Sequence, residues 1–209
     1  MPVTINGDGS ITGLSNGSLS ANVLTDSTVT TAKLANGAAT QAKSTYATGE
    51  VIQTQSFIFT SVTESFSSKA WHATSVTKQI TPTSSSNKIL VMATLTAGNS
   101  NNVGEGAAFK VMRSVNGGSY TETVAYGDAV GTANRGSVGG FYDNNTIYTT
   151  DCRSIQFIDT PNTTSPVDYK LYVYLFDGST TVYINRPHTT TALEHITGTS
   201  SIVLMEVKG

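Results

Sequence analysis

Three histidines, fourteen carboxylates and one cysteine are the groups in this 209-residue chain with the chemistry for catalysis or metal binding. His188 and His195 stand seven residues apart with Glu194 beside the second, which would start a metal site. Zinc needs further nitrogen or sulfur ligands at close spacing, and no HExxH-like pattern is present, so these and His72 read as solvated loop histidines. Cys152 stands alone, which excludes an internal disulfide framework and a CxxC metal site; it reads as a small apolar strand residue. Asp151, Asp159 and Asp168 fall near expected strand ends and are the candidates for glycoside cleavage, which needs two carboxylates about 5–10 Å apart. Asp143-Asn144-Asn145 offers calcium oxygens but lacks the twelve-residue series ending in Glu, so it reads as a polar turn. No GxSxG elbow and no glycine loop ahead of a helix is present. The expectation is a non-enzymatic protein with no metal and no cofactor.

Binding chemistry is a different matter. Residues 127–146 (GDAVGTANRGSVGGFYDNNT) form the longest glycine-rich irregular stretch, with Phe141 and Tyr142 beside Asp143, Asn144 and Asn145. Aromatic rings stack on sugars while Asn and Asp exchange hydrogen bonds with hydroxyls. The competing reading has Phe141 and Tyr142 beginning a packed strand. Arg186 and His188 are further receptor-contact candidates on the same reasoning.

Charged residues make up 12% of the chain against a usual quarter, and apolar residues 38%. Thr and Ser fill the gap, which favours strands and turns with a neutral, hydroxyl-rich surface. The twelve basic residues are scattered, so no phosphate-tracking patch and no nucleic-acid partner is expected. The opening MPVTINGDGS has neither a basic nor an apolar leader region, and no apolar run nears ~20 residues; neither a signal peptide nor membrane insertion is expected.

These candidates must be carried by strands. Residues 57–59 (FIF) and 89–95 (ILVMATL) are short buried-type runs, the second preceded by a turn cluster at 81–87. Residues 107–115 and 119–126 flank Asn116-Gly117-Gly118 as a hairpin. Residues 154–160, 168–176, 180–185 and 200–207 complete about eight strands with no long amphipathic helix. The expected head, 49–209, is an all-β, antiparallel two-sheet sandwich of jelly-roll type.

Residues 1–48 differ. Tyr46 is their only aromatic, and isolated apolar residues such as Val3, Ile5 and Ile11 cannot bury enough area to fold alone. Residues 24–33 (LTDSTVTTAK) and 34–43 (LANGAATQAK) repeat with a ten-residue period, and 14–23 is a fainter copy. Each unit offers a leucine and an apolar residue five positions on. Three chains around an axis would converge Leu14, Leu19, Leu24, Val29 and Leu34 into a narrow core, giving a thin trimeric stem. The alternative is a flexible linker. Each unit is either extended or contains one helical turn over residues 31–35.

The opening PVTINGDGSITGLS, followed by TVTTAKLANGAATQAK, resembles the N-termini of phage fibre proteins, especially those of marine cyanobacterial phages. ITPTSSSNKILV (80–91), KVMRSVNGGSYTE (110–122), DGSTTVYINR (177–186) and GTSSIVLMEVKG (198–209) are similar to the compact β-domains of such fibres; residues 127–153 carry none of the likeness. The resemblance implies a homotrimeric structural protein of the virion, assembled in the host cytoplasm. Its stem would join other tail or capsid proteins, and its head would contact a host-surface polysaccharide or receptor. It transfers no site residue. Alternatives are a capsid-decorating head fibre, a polysaccharide-degrading tail spike, or a cellular trimeric β-sandwich module.

Overall fold

The computed structural model describes residues 4–5, 11–12, 46–100, 107–139, 147–176, 178–193 and 195–209. The chain divides into two units, Met1–Thr45 and Tyr46–Gly209. In the first, β1 (Thr4–Ile5) pairs antiparallel with β2 (Ile11–Thr12). The expected stem contacts Leu14, Leu19, Leu24, Val29 and Leu34 lie outside the described residues.

The second unit is an antiparallel two-sheet sandwich, with no helix among its described residues. Its strands are β3 (Val51–Phe59), β4 (Ser65–Phe66), β5 (Trp71–Ile80), β6 (Lys88–Asn99), β7 (Ala107–Val115), β8 (Thr121–Glu122), β9 (Asp151–Asp159), β10 (Val167–Leu175), β11 (Val182–Ile184) and β12 (Ser200–Val207). One sheet runs β5-β10-β7-β8. In the other, β6 pairs with β9 over residues 89–97 on one edge. Its opposite edge is shared end to end by β12, over 88–94, and β11, over 97–99. β3 continues beyond β12, and β4 beyond β11. Apart from β4 and β11, the eight strands therefore stand in the orders β3-β12-β6-β9 and β5-β10-β7-β8. Of their successive connections, only β7–β8 stays within one sheet.

Strand alternation explains the core. Ile89, Val91, Ala93 and Leu95 of β6 face Val167, Leu171, Val173 and Leu175 of β10 across the sheets, with Ile202 and Leu204 of β12 and Phe109 and Val111 of β7 completing the cluster. Each Val, Leu, Ile or Phe side chain of this cluster contributes about 1.5–3 kcal/mol on full burial. The hairpin turns where Asn116-Gly117 demands it: both residues have positive φ, 52° and 72°, and the Gly118 N–H closes on the Val115 carbonyl at 3.0 Å.

β8 and β5 depart most from the sequence reading, which also lacks β4 and has only the last three residues of β3. β8 is only two residues of the expected 119–126 strand, because Thr123 turns its hydroxyl onto the Val111 carbonyl at 3.0 Å and the chain leaves the ladder. β5 was not expected at all. Its inward positions include Thr74 where an aliphatic residue would have announced a strand, and a bulge interrupts its pairing opposite Leu171. Thr74 Oγ1 donates to the Leu171 carbonyl at 2.9 Å, and Glu64 accepts from the Ser75 N–H at 2.9 Å, so the bulge leaves these groups paired.

Two buried carboxylates fasten the sandwich. Asp159 of β9, fully buried, accepts both contacts of Arg113 Nη1 (2.7 and 2.6 Å) and the Tyr169 hydroxyl (2.7 Å), tying β7, β9 and β10 together. Burial first, and the neighbouring Asp159 carboxylate second, push the Tyr169 hydroxyl far above its ordinary pKa. Glu206 of β12, also fully buried, accepts Asn87 Nδ2 (2.6 Å), Gln53 Nε2 (2.7 Å), the Thr83 N–H (2.7 Å) and the Thr83 hydroxyl (2.8 Å). The polar turn at 81–87 is thereby docked onto β12 and β3.

Candidate functional site

The three carboxylates singled out in the sequence are not brought together as a pair. Asp151 and Asp159 occupy opposite ends of β9, roughly 26 Å apart at about 3.3 Å per residue. Asp151 bonds Arg153 at 2.6 Å, Asp159 is held by Arg113, and Asp168 accepts from Gln79 Nε2 at 3.1 Å on the outer face of β10. The histidines likewise have separate partners. His188 Nδ1 lies 3.0 Å from the Tyr183 hydroxyl, His195 meets Tyr148 in a tilted ring contact at 5.3 Å, and His72 stacks with Phe66 at 4.9 Å. Among the described residues no group of three or more His, Cys, Asp and Glu is placed to hold a metal.

Arg186 and His188 are brought together through Tyr183. The Arg186 guanidinium lies 3.9 Å from the Tyr183 ring and donates to the carbonyls of Val62 (2.9 Å), Pro187 (3.0 Å) and His188 (3.3 Å). Those bonds fix the loop after β11. Phe141, Tyr142, Asp143, Asn144 and Asn145 lie outside the described residues.

The first part of the glycine-rich stretch folds over the outer face of the four-stranded sheet. Alternation along β10 puts Tyr172 and Tyr174 on that face, and register sets Tyr174 beside Trp71 of β5 and Ala108 of β7. Trp71 and Tyr174 meet at 5.2 Å between ring centres, and Tyr174 meets Phe176 at 5.9 Å. Lys110 projects from β7 onto the same face, its ammonium 4.4 Å from the Trp71 ring, 5.4 Å from the Tyr126 ring and 3.8 Å from Glu122. Burial lowers the Lys110 pKa, and Glu122 opposes that in part. Cation–ring contacts contribute about 0.5–1 kcal/mol at exposed sites and about 2 kcal/mol when desolvated.

The loop itself is fastened at its base. The Gly127 N–H bonds the Gly136 carbonyl at 3.0 Å, and Arg135 Nε bonds the Gly127 carbonyl. The N–H groups of Ser137 and Val138 both reach the Phe109 carbonyl, at 3.0 and 2.9 Å. Gly136 lies so close that a Cβ there would stand 3.2 Å from the end of the Trp71 ring and 3.3 Å from the Phe109 carbonyl. The result is a cleft of about 250 Å³ with two unlike walls. One is aromatic, from Trp71, Tyr174 and Phe176; the other is polar, from Asp128, Asn134 and Arg135.

The opposite outer face, on the six-stranded sheet, is nearly charge-free. Register places Ile158, Leu90 and Met205 in one row, and Gln156, Met92 and Val203 in the next. Ile158 is 53% and Ile58 64% exposed, so apolar area reaches solvent here.

No protein-family model and no curated protein matches the chain. Sequence reading had marked the loop but not the wall beneath it. Trp71 was the available signal, as the chain's single tryptophan.

Proposed function

We propose that the chain is a non-enzymatic, homotrimeric fibre subunit of a bacteriophage particle. Residues 1–48 form the stem that joins the virion, and 49–209 form a head that contacts the host surface. The observation that carries this reading is the strand order β3-β12-β6-β9 over β5-β10-β7-β8, in a chain whose opening bears ten-residue apolar repeats. That order is the jelly roll, an architecture recurrent in viral capsid and lectin domains. Fold alone does not assign a role. The role is supported by the chemistry of the surface: a fastened loop over an aromatic face, and a second outer face almost free of charge.

The trimer is supported by the sequence of the repeats, whose isolated leucines offer too little apolar area for one thin stem to fold alone. The charge-free face suits contact between identical copies, since like charges do not meet there. Deletion of residues 1–48 tests the division of labour. The expected result is a folded 49–209 head, with native-like circular dichroism, that is no longer incorporated into particles. Incorporation at the normal level would contradict the anchoring role.

A further inference from the structure

We propose that the cleft beneath the 127–136 loop is a saccharide site. It takes one pyranose ring of a surface polysaccharide, stacked on Phe176, flanked by Trp71 and hydrogen-bonded through Asp128, Asn134 and Arg135. The biological sense of this site rests on the attachment reading above; its chemistry does not.

A pyranose has an apolar C–H face and a rim of vicinal hydroxyls, and the cleft presents the complement of both. Phe176 is 40% exposed, and Tyr174, at 8%, sits between it and Trp71 as a packed spacer. The rings tilt by 45° and 53° from one to the next, so they form a stepped apolar wall whose open face is Phe176. Across from them, Asp128 and Asn134 are exposed and make no hydrogen bond to any described residue. Arg135 is held at Nε by the Gly127 carbonyl and lies 4.2 Å from the Tyr126 ring, while its two terminal amines have no partner among the described residues. A carboxylate, an amide and a planar two-amine fork are the groups that bind adjacent hydroxyls in pairs.

Size and preorganisation agree with this assignment. About 250 Å³ is below the ~300–1,000 Å³ of drug-sized sites, which suits a single ring with the rest of the polymer outside. The loop is already fastened by Gly127–Gly136 and by Phe109, so binding orders little new chain. Nucleobases also stack on aromatic rings, but a net charge of −2 and the Asp128 carboxylate at the lip disfavour a phosphate-bearing ligand.

Trp71 is the only tryptophan, so its emission reports occupancy of this cleft directly. The full chain is titrated with the methyl glycosides of glucose, galactose, mannose, N-acetylglucosamine and glucuronic acid, each to about 50 mM, a range that covers millimolar affinities. The expected result is a saturable change in Trp71 emission with at least one glycoside. Asp128→Ala and Phe176→Ala should each weaken that binding about tenfold or more with an unchanged urea midpoint. A flat response to all five glycosides, or either variant binding as the unsubstituted chain does, overturns the site. The two proposals fail separately. Saturable binding alongside normal adsorption of Asp128→Ala particles removes the attachment role and leaves the site. A flat titration alongside particles that lose adsorption without this chain removes the site and leaves the fibre.

Discussion

Replacing Glu206 with alanine tests how this Ser/Thr-rich sandwich is closed. The buried carboxylate receives four hydrogen bonds from Gln53, Thr83 and Asn87, so truncation takes the acceptor from four donor groups on three residues and leaves a small void. Hydrogen bonds to charged groups contribute about 1.5–3 kcal/mol each, but four bonds to one carboxylate share its charge and do not add. The partners are neutral, so no charge is left buried; each buried donor left unsatisfied costs about 1–3 kcal/mol, and we take about 4 kcal/mol in all for Glu206→Ala. At about 2–4 °C per kcal/mol for a chain of this size, the melting temperature falls by roughly 8–16 °C. Glu206→Gln keeps one acceptor and should lose about half as much. Burial pushes the Glu206 carboxyl up, yet the hydrogen bonds from Asn87, Gln53 and Thr83 outweigh it and hold the group below its ordinary value of 4.5. A depressed folded pKa means the unfolded chain binds the proton first, so this stability is fully present above about pH 4.5 and is lost as pH falls through the folded value. Urea titrations at fixed protein concentration, at pH 7 and across pH 5 to pH 3, read both effects. Glu206→Ala within about 1 kcal/mol of the native chain at pH 7, or an unaltered acid limb in Glu206→Gln, would refute the reasoning.

Other perturbations follow from the same contacts. Arg113→Met leaves Asp159 buried without its cation and should cost about 3–5 kcal/mol in urea unfolding, whereas Arg113→Met with Asp159→Leu should recover most of that loss. Gly136→Val places a side chain against Trp71 and the Phe109 carbonyl; the loop should lift, with a red-shifted Trp71 emission and little change in the urea midpoint. Sedimentation equilibrium of the full chain at micromolar concentration should give about three times the 21.9 kDa chain mass, and a stable monomer would remove the trimer.

What was legible in the sequence was whatever rested on alternation and turn chemistry. β7 and β12 lie where the apolar alternation and the Asn116-Gly117 turn put them, because one face of each strand had to be buried. β5 was hidden because the buried Thr74 and half-buried Thr77 stand where apolar residues mark other strands, their hydroxyls donating to the Leu171 and Tyr169 carbonyls of β10 instead. The 127–146 stretch was visible as a glycine-rich loop, but the platform beneath its first part was not. Trp71, Ala108 and Tyr174 become neighbours only through the β5-β10-β7 pairing, which no local pattern announces. Asp159 shows the same limit in reverse: it read as a candidate acid, and its partner Arg113 lies on a strand of the other sheet.

In the function proposed above, the head is carried off the particle by the repeat-built stem. Electron microscopy of intact particles, with antibody against residues 49–209, tests it most directly. The predicted result is label at the outer end of three-fold fibres, with residues 1–48 at the attachment point. Purified particles that carry none of this chain would contradict it.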